Sequence, residues 1–459
     1  MAEWRPEIAE GPEPLYERLV AALRADIASG VLGPGDKVPP QRDLAHRMGI
    51  GLGTVTRAYA EATRRGLLRA QVGSGSYVSM AENPGVGPAS GPVDMTRNTI
   101  PAGPAAARLS ATLAQLRRRP DLLEHLAYAP PEGFETHRRA GAAWLQRAAG
   151  LHTADWRRLV CAGGGQQAMA LVFGHLCRPG DTVMTEAATF FGFKSLAEIL
   201  GLKLKGLAMD AEGLLPEAVD RAAAEGLRVL YLMPTLQNPT TRLMSPARRA
   251  EIAAVARRRD LILVEDDSYA VYGPGPANPP VATLAPERTW YVGALSKGLA
   301  PGLRAGFLLA PTEAEVDRLI RRIHALYYAP ASLGSMVGTQ WIEDGTADDI
   351  AAETRAEFAR RLALAREVLG DAMEPPPLPA TPHVWLPMDE LSAERVAARA
   401  HRSGVEVTPP SAPLVDPALC SGLRLCLGGA ADLPTLERGL KVVAAALGAG
   451  PDERTRGLV

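Results

Sequence analysis

The sequence predicts an α/β protein in which a small N-terminal winged helix-turn-helix precedes a large domain with a mainly parallel sheet. The runs LRVLYLM (227–233) and LILVE (261–265) are unbroken apolar stretches, the pattern of strands buried on both faces of a parallel sheet. The segment PARRAEIAAVARRRD between them has the pattern of an amphipathic crossover helix, which makes the three segments a βαβ unit. With 459 residues, the chain is long enough for more than one domain.

Composition and termini limit the class of protein. The chain is 47% apolar and 22% charged with a formal net charge of −1, so its overall charge indicates neither nucleic acid nor a membrane. The N-terminus MAEWRPEIAE lacks the basic and apolar regions of a signal peptide, and no stretch approaches the roughly 20 apolar residues that cross a bilayer. The four cysteines form no CxxC pair and no zinc spacing. We therefore expect a cytoplasmic protein with no membrane partner and no metal.

The first 80 residues have the order of a helix-turn-helix. Apolar residues of the first predicted helix recur every four positions, at Leu15, Leu19, Leu23 and Ile27. A Gly- and Pro-rich break at 30–40 separates it from a short helix, QRDLAHRM, which Gly49 stops. A third helix begins at Thr54 or just before it and ends at Gly66. In this order the last helix enters the major groove of DNA.

Residues 42–69 carry a local positive charge that the overall balance hides. They contain six arginines against Asp43 and Glu61, a net charge of +4. Such a cluster is often only a solvated face, but here it coincides with the predicted third helix. The segment LLRAQVGSGSYV (67–78) then predicts two extended stretches around glycine and serine residues, a hairpin that would form a wing.

Residues 14–80 resemble the winged helix of the GntR family in the motifs PPQRDLA, TVTRAY and GLLRAQVGSGSYV. The resemblance implies a double-stranded DNA operator as a partner. The arginine of PPQRDLA matches a family arginine that reaches the phosphate backbone, and two glycines match the tip of the wing. The DNA contacts that the resemblance implies are Arg42, Thr54, Thr56, Arg57, Gly73 and Gly75. A winged helix used only for protein contacts is the alternative.

One departure from the GntR pattern lies just before the third helix. The family usually has a polar and basic pair there, whereas this chain has Gly51-Leu52-Gly53. Leu52 stands at the usual arginine position, which removes one expected DNA contact, worth about 1–3 kcal/mol if it read a base. The operator sequence is left open by this departure.

A linker separates the two predicted domains. Residues 81–92, AENPGVGPASGP, are rich in Gly, Pro and Ser and show no apolar periodicity, as is typical of a flexible tether. The predicted organisation is therefore a winged helix at 1–80, the linker at 81–92, and a large domain at 93–459. A smaller C-terminal subdomain is expected over about 345–459.

Polar residues follow predicted strands of the large domain, at the strand ends where α/β folds bind ligands. The turn GGGQQ (163–167) lies between a strand and a helix, where successive N–H groups make an anion site suited to a phosphate. The segment EDDSY (265–269) leaves the strand LILV directly, and carboxylates there need a partner such as a cationic ring nitrogen. A metal, a helix cap or ordinary loop acids are the alternatives.

Lys297 follows Ser296 after the predicted strand WYVGAL, and Arg304 comes seven residues later. A lysine at a strand end can be desolvated and thereby shifted toward the free amine that Schiff-base chemistry requires. For one lysine in isolation, a surface position is the simpler interpretation.

Taken together, these groups resemble the fold-type I aminotransferases along nearly all of residues 93–445, because the motifs occur in the family's chain order. The resemblance implies a pyridoxal 5'-phosphate (PLP) cofactor, bound to Lys297 as an internal aldimine. Asp266 would pair with the pyridinium nitrogen, and Tyr269 and Asn238 would hydrogen-bond the phenolic oxygen. The other implied cofactor contacts are Gly165, Gln166, Ser296 and Arg304 at the phosphate and Phe190 against the ring.

Two further residues are matched by the same resemblance. Tyr128, in YAPPEGFETHRRA, matches a tyrosine that reaches the phosphate of the neighbouring subunit, which implies a homodimer. Arg424, in GLRLCLGG, matches the arginine that binds a substrate carboxylate, a task suited to its planar fork of donors.

A GntR-like winged helix followed by an aminotransferase-like domain is the architecture of the MocR/GabR family of bacterial transcription regulators, which the full chain resembles. The resemblance implies ligand-responsive transcription control, in which an amino acid or related amine replaces Lys297 as an external aldimine. A DNA response then requires that the ligand bind two protein states with different affinity. A working aminotransferase with an attached winged helix, and a lyase or racemase, are the alternatives.

Overall fold

The computed structural model describes residues 4–11, 13–28, 31–33, 36–65, 67–71, 75–78, 92–101 and 103–448. The chain divides into two compact units, Met1–Gly91 and Pro92–Val459. Gly73 and residues 81–91 of the predicted linker lie outside the described residues. Within the described ranges, no helix is both long enough and apolar enough to span a membrane.

The first unit contains three helices and a hairpin. These elements are α1 (Leu15–Ala28), α2 (Gln41–Met48), α3 (Leu52–Arg64), β1 (Leu68–Gln71) and β2 (Gly75–Val78). Apolar side chains from every element form its core, among them Leu19, Leu44, Val55, Leu68 and Val78. The predicted winged helix-turn-helix is therefore confirmed.

Helix α3 begins at Leu52, two residues before Thr54, as the prediction allowed. One detail of the first unit differs from the expectation in position. Gly75 is the first residue of β2 and lies opposite Gln71 in the antiparallel hairpin, so it belongs to the strand and not to the tip. Its φ of 119° is one that L side chains rarely adopt.

The second unit alternates strands and helices along most of its length. Its strands are β3 (Val93–Met95), β4 (Leu159–Ala162), β5 (Thr182–Glu186), β6 (Lys203–Leu207), β7 (Met209–Asp210), β8 (Gly213–Leu214), β9 (Val229–Leu232), β10 (Ile262–Asp266), β11 (Thr289–Ala294), β12 (Gly306–Leu309), β13 (His383–Pro387), β14 (Val405–Val407) and β15 (Gly422–Cys426). Its helices are α4 (Gly103–Leu116), α5 (Glu135–Ala149), α6 (Gly165–Leu176), α7 (Phe191–Ile199), α8 (Pro216–Ala224), α9 (Pro246–Arg258), α10 (Val281–Leu284), α11 (Glu313–Leu326), α12 (Ser332–Glu343), α13 (Thr346–Leu369), α14 (Glu390–Arg402) and α15 (Leu433–Gly448).

Seven strands form the central sheet, in the order β4, β12, β11, β10, β9, β5, β6. Strand β12 runs antiparallel to both of its neighbours, and every other pairing in this sheet is parallel. The predicted βαβ unit is β9, α9 and β10, with Leu230 opposite Leu263. The predicted α/β class with a mainly parallel sheet is confirmed.

The parallel order brings the predicted site residues to one edge. Strands β9, β10 and β11 are neighbours and parallel, so their carboxyl ends lie side by side. Asp266 is the last residue of β10, and the segments that leave β9 and β11 carry Asn238 and Lys297. The spacing of these residues along the chain does not require them to be close. They are close because their strands are neighbours in the sheet.

A smaller layer is formed by the last part of the chain together with its β3 strand. Strand β13 pairs antiparallel with β15, which places Trp385 opposite Arg424. Strand β14 pairs in parallel with β3, with Val405 opposite Val93. The beginning of the second unit therefore lies among its C-terminal elements.

We predict that Gly306→Ala destabilises the second unit. A Cβ atom at this position, the first of β12, would lie 2.7 Å from the Cα and carbonyl carbon of Gly164, which are backbone atoms that cannot rotate away. Overpacking of this kind costs about 1–3 kcal/mol. The free energy of unfolding in urea, followed by tryptophan fluorescence, should fall by that amount.

Gly302→Ala is the matched control for this prediction. No heavy atom lies within 4 Å of a Cβ at position 302, so the variant should unfold at the urea concentration of the wild type. Equal unfolding midpoints for the Gly306 and Gly302 variants would contradict the tight contact between β12 and the turn at Gly164.

Candidate functional site

Lys297 lies just beyond β11, with its ammonium group turned into the second unit. Its Nζ donates a hydrogen bond to the backbone oxygen of Asn98 at 2.5 Å, and its own backbone oxygen accepts one from the Tyr272 hydroxyl at 2.7 Å. Desolvation lowers the pKa of Lys297 to about 8, and the guanidinium groups of Arg424 and Arg304 act in the same direction. An amine with this pKa is partly neutral near neutral pH, so it can act as a nucleophile.

Asp266 ends β10 and is buried. Its Oδ2 accepts a hydrogen bond from the Tyr231 hydroxyl at 2.9 Å, and its Oδ1 accepts from the Ser268 hydroxyl at 2.7 Å. Burial raises the pKa of Asp266, and these neutral donors lower it. Among the described residues, no cation lies within ion-pair distance of Asp266, although the charge of Lys297 also lowers its pKa. A buried carboxylate held by neutral donors fits a ligand that supplies a cationic ring nitrogen.

The two acids beside Asp266 have structural partners. Glu265 accepts hydrogen bonds from the backbone N–H groups of Val281 and Ala282 at 2.9 and 2.7 Å, and so caps the start of α10. Asp267 accepts from the Tyr291 hydroxyl at 2.9 Å. The helix-cap alternative is therefore right for Glu265. In the part of the chain that the structure describes, no group of three or more His, Cys, Asp or Glu side chains could hold a metal.

The glycine turn before α6 forms an anion cradle. Gly165 is the first residue of α6, whose N-terminal N–H groups point away from the helix. The Arg304 guanidinium donates to the Gly163 oxygen at 2.7 Å, and a Cβ at Gly164 would lie 2.8 Å from its Nη2. A Cβ at Gly165 would lie 3.3 Å from the Ser268 hydroxyl, so the cradle adjoins the residue that binds Asp266.

Gln166 and Phe190 lie together at the start of α7. The Gln166 Nε2 donates to the Gly192 oxygen at 2.7 Å, and a Cβ at Gly192 would lie 2.4 Å from the Phe190 ring. Glycine at 192 therefore lets the ring and the amide pack on the same piece of backbone. Ser296 is half-buried directly before Lys297.

A connected set of hydrogen bonds links Lys297 to Arg424. The Tyr269 hydroxyl accepts from the Asn98 Nδ2 at 2.7 Å and from the Asn238 Nδ2 at 3.4 Å. The Asn238 Oδ1 in turn accepts from the Arg424 Nη1 at 2.8 Å. Because both lone pairs of the Tyr269 oxygen face donors, its own proton is available for a further acceptor.

Arg424 is only 2% exposed and lies on β15. Its Nη2 donates to the Thr408 hydroxyl at 2.9 Å and to the Thr96 oxygen at 3.1 Å. Its buried Nε has no hydrogen-bond partner among the described residues, and the Phe191 ring lies 5.4 Å from its Cζ. A buried guanidinium with neutral partners and a spare donor fits an anionic group such as a carboxylate.

Two residues of this site were not predicted from the sequence. Asn98 contacts Lys297 through its backbone and Tyr269 through its side chain, and its Nδ2 also lies 3.1 Å from the Nδ1 of His383. His383 is buried, desolvation lowers its pKa to about 3, and its Nε2 lies 3.4 Å from the Gln237 oxygen. A neutral His383 with its proton on Nε2 thus accepts from Asn98 and fixes the orientation of that amide.

Tyr128 does not join this set within one chain. Its side chain is 82% exposed, and its ring lies 4.7 Å from that of Tyr328. The predicted contact with the phosphate of a neighbouring subunit needs a second copy, so it stays a prediction.

The predicted DNA contacts lie at α2, α3 and β2 of the first unit. Arg42 is exposed on α2, and Thr54 is half-buried in the first turn of α3. The Thr56 hydroxyl donates to Gln41 Oε1 at 2.9 Å, and the Arg57 guanidinium lies 4.1 Å from the centre of the Tyr16 ring. A basic helix with ordered exposed side chains is suited to a nucleic acid surface.

Comparison with known proteins assigns both parts of the chain. Residues 15–78 match the model of bacterial regulatory proteins of the gntR family, and residues 108–443 match that of aminotransferase class I and II. The chain is 31% identical over 322 residues to the uncharacterized HTH-type transcriptional regulator YdeF of Bacillus subtilis, covering 68% of each chain. It is 28% identical over 388 residues to the vitamin B6 salvage pathway transcriptional repressor PtsJ of Salmonella typhimurium, covering 81% of this chain and 85% of that one.

Among solved structures, kynurenine aminotransferase of Pyrococcus horikoshii has the same fold. The match has a TM-score of 0.70 at 22% identity and covers 78% of this chain and 91% of that one. Three findings agree with one another: the gntR-family match at the N-terminus, the aminotransferase match over most of the remainder, and relatives that are named as transcriptional regulators. The chain therefore belongs to the MocR-type regulators, in which a gntR-family DNA-binding domain precedes an aminotransferase class I and II domain.

Proposed function

We propose that this regulator binds PLP at Lys297 and changes its affinity for an operator when an amino acid or related amine enters the same site. The observation that carries the proposal is the connected set Lys297, Asn98, Tyr269, Asn238 and Arg424 beside the buried Asp266. The set joins the amine of Lys297 at one end to the buried guanidinium of Arg424 at the other. The same chain carries a DNA-binding domain of the gntR family.

The residues present fit PLP by their chemistry. Asp266 would face the ring nitrogen, and Tyr269 would donate to the phenolic oxygen with Asn238 beside it. The N–H groups at Gly165 and the side chains of Gln166, Ser296 and Arg304 would hold the phosphate, and Phe190 would lie against the ring. When bound, PLP supplies an aldehyde carbon that forms a covalent bond with a primary amine.

The effector would be recognised by its two ends. Arg424 would bind its carboxylate, and its amine would displace the amine of Lys297. The freed Lys297 gains a charge that depends on pH, and its hydrogen bond to Asn98 changes. This can alter DNA binding only if two protein states differ in their affinity for the effector.

We also propose a homodimer. A group of large apolar side chains in the second unit is exposed: Leu123, Leu126, Tyr128, Leu326, Tyr328 and Leu333. The rings of Tyr128 and Tyr328 are in contact, 4.7 Å apart, and apolar side chains exposed together suit an interaction surface. A second copy would cover it and would bring Tyr128 to the phosphate of the neighbouring site. Two copies would also present two α3 helices to two operator half-sites.

A working aminotransferase is the second candidate, because Lys297, Asp266 and Tyr269 are chemically sufficient for proton transfer. The test follows the absorbance of PLP-loaded protein on addition of 4-aminobutyrate or alanine, with and without a keto acid. A lasting spectral change without keto-acid product supports a sensor. Rapid conversion of the cofactor to its amine form, with many turnovers, would overturn the sensor as the sole function.

The same titration tests whether Arg424 binds the carboxylate of the effector. We predict that an amine with a carboxylate changes the spectrum at an at least tenfold lower concentration than its counterpart without one, for example 4-aminobutyrate against butylamine, because a charged hydrogen bond contributes about 1.5–3 kcal/mol. Arg424→Gln should remove this difference. Equal concentrations for both amines in the wild type would contradict the role of Arg424.

DNA affinity is measured on the same samples. Anisotropy of labelled operator should differ between cofactor-free protein, PLP-loaded protein and PLP-loaded protein with amine. If only the cofactor-free and PLP-loaded samples differ in DNA affinity, PLP itself would be the effector. The relative PtsJ is named as a repressor of the vitamin B6 salvage pathway, which agrees with that outcome.

The pKa of Lys297 predicts how PLP loading depends on pH. Only the neutral amine attacks the aldehyde, and the pKa of Lys297 is lowered to about 8. The rate of loading, measured by stopped-flow absorbance, should therefore rise about tenfold per pH unit below pH 8 and level off above it. A rate that keeps rising to pH 10 would indicate an ordinary lysine. Lys297→Ala should lose the absorbance band and leave the first unit folded by circular dichroism.

Arg42 is predicted to bind a phosphate of the operator. Arg42→Ala should weaken binding and reduce the slope of log K against log salt by about one, the value for one lost phosphate contact. Arg24→Ala is the control, because it removes the same charge from α1, outside the helix-turn-helix pair. If both variants lower the slope equally, the loss reflects net charge and the predicted docking is wrong.

A further inference from the structure

The start of α3 exposes an apolar side chain. The buried face of this helix is Val55, Ala58, Tyr59 and Ala62. Leu52, its first residue, is 43% exposed and packs only partly against the unit. An exposed leucine by itself is ordinary; its surroundings are what distinguish this one.

Both neighbours of Leu52 are glycines that the fold does not require. A Cβ at Gly53 would meet no heavy atom within 4 Å, and one at Gly51 would meet only the Thr54 hydroxyl at 3.8 Å. Gly51 has a φ of −64°, which any residue adopts. Gly53 lies inside α3, where a glycine is about 0.5–1 kcal/mol less stable than an alanine, whereas Gly51 is the N-cap residue, a position that suits glycine. Bare backbone does allow a partner to approach closely on both sides of Leu52.

The segment around Leu52 also lacks charge. Residues 50–56 contain no Lys, Arg, Asp or Glu, and Thr56, one helical turn after Leu52, has its hydroxyl bonded to Gln41. Arg57 is stacked on the Tyr16 ring and so is held against α1. The arginine that suits a phosphate, Arg57, therefore lies to one side of Leu52. At Leu52 itself the helix offers only an apolar side chain and the bare backbone of its two glycine neighbours.

The base edges of DNA include one apolar group in the major groove, the C5-methyl of thymine. The first residues of a recognition helix are those that reach base edges. Leu52 has no donor with which to read guanine, but it can bury a methyl group. We propose that Leu52 contacts the methyl group of a thymine in each operator half-site, which makes it a specificity-determining residue; this rests on the proposed operator binding.

The test removes only that methyl group. Selection from random DNA with the full-length protein gives the bound sequence, and each thymine in it is then replaced by uracil. The wild type should bind about fourfold more weakly when one particular thymine is replaced in a single half-site, the factor for burying one methyl-sized group, and about fifteenfold more weakly when it is replaced in both half-sites. Leu52→Ala should bind the thymine and uracil duplexes equally.

Two variants make the outcome specific. Leu113→Ala, in α4 of the second unit, truncates a leucine that is also 43% exposed, and it should keep the uracil effect. Leu52→Arg should move the selected base at that position toward guanine, which an arginine reads through two hydrogen bonds. Circular dichroism of each variant checks that the first unit is folded.

The inference is overturned if uracil has no effect at any position in the wild type, or if Leu52→Ala keeps the effect. It is also overturned if Leu52→Ala leaves the DNA data unchanged and alters only the oligomeric state, because Leu52 would then contact protein. Selection that enriches no sequence at all would instead contradict the proposed operator binding itself, so the two failures are distinguishable.

Discussion

The pairing of β3 with β14 is the constraint on which the ligand site depends. Strand β3 opens the second unit, yet it pairs with a strand close to the C-terminus. This pairing fixes the segment that follows β3, so that the Thr96 oxygen accepts from Arg424 and the Asn98 oxygen accepts from Lys297. Lys297 belongs to the central sheet and Arg424 to the smaller layer. The short segment after β3 therefore joins the two halves of the site.

The site holds buried charged side chains with mostly neutral partners. Asp266 is bound by two hydroxyls, and Arg424 by a hydroxyl, an amide and a backbone oxygen. The Lys297 ammonium favours the charged form of Asp266, but neutral dipoles replace only part of the hydration that each buried charge has lost, which is unfavourable for folding. Under the proposed function, a ligand that brings a cationic ring nitrogen to one and a carboxylate to the other would relieve this cost.

Sequence patterns predicted the strand-end residues but not the residues that connect them. Unbroken apolar runs located β9 and β10, and the sheet order then brought Asn238, Asp266 and Lys297 together as expected. Asn98 lies in an irregular segment with no periodicity, so its role follows only from the long-range pairing of β3. The only sequence feature that could have indicated His383 is its position, a histidine at the start of an apolar strand. Glu265 and Asp266 are adjacent acids that the sequence alone does not tell apart. What separates their roles is a tertiary contact, the hydrogen bonds by which Glu265 caps α10.

The position of β3 has a consequence for communication along the chain. It is the first strand after the segment that leads from the DNA-binding unit, and it also supplies part of the wall of the ligand site. Under the proposed function, a rearrangement of Thr96 or Asn98 on ligand binding would act next to the strand at which the chain leaves for the first unit. Although the ligand site is assembled from distant parts of the second unit, it thus includes residues within a few positions of that exit strand.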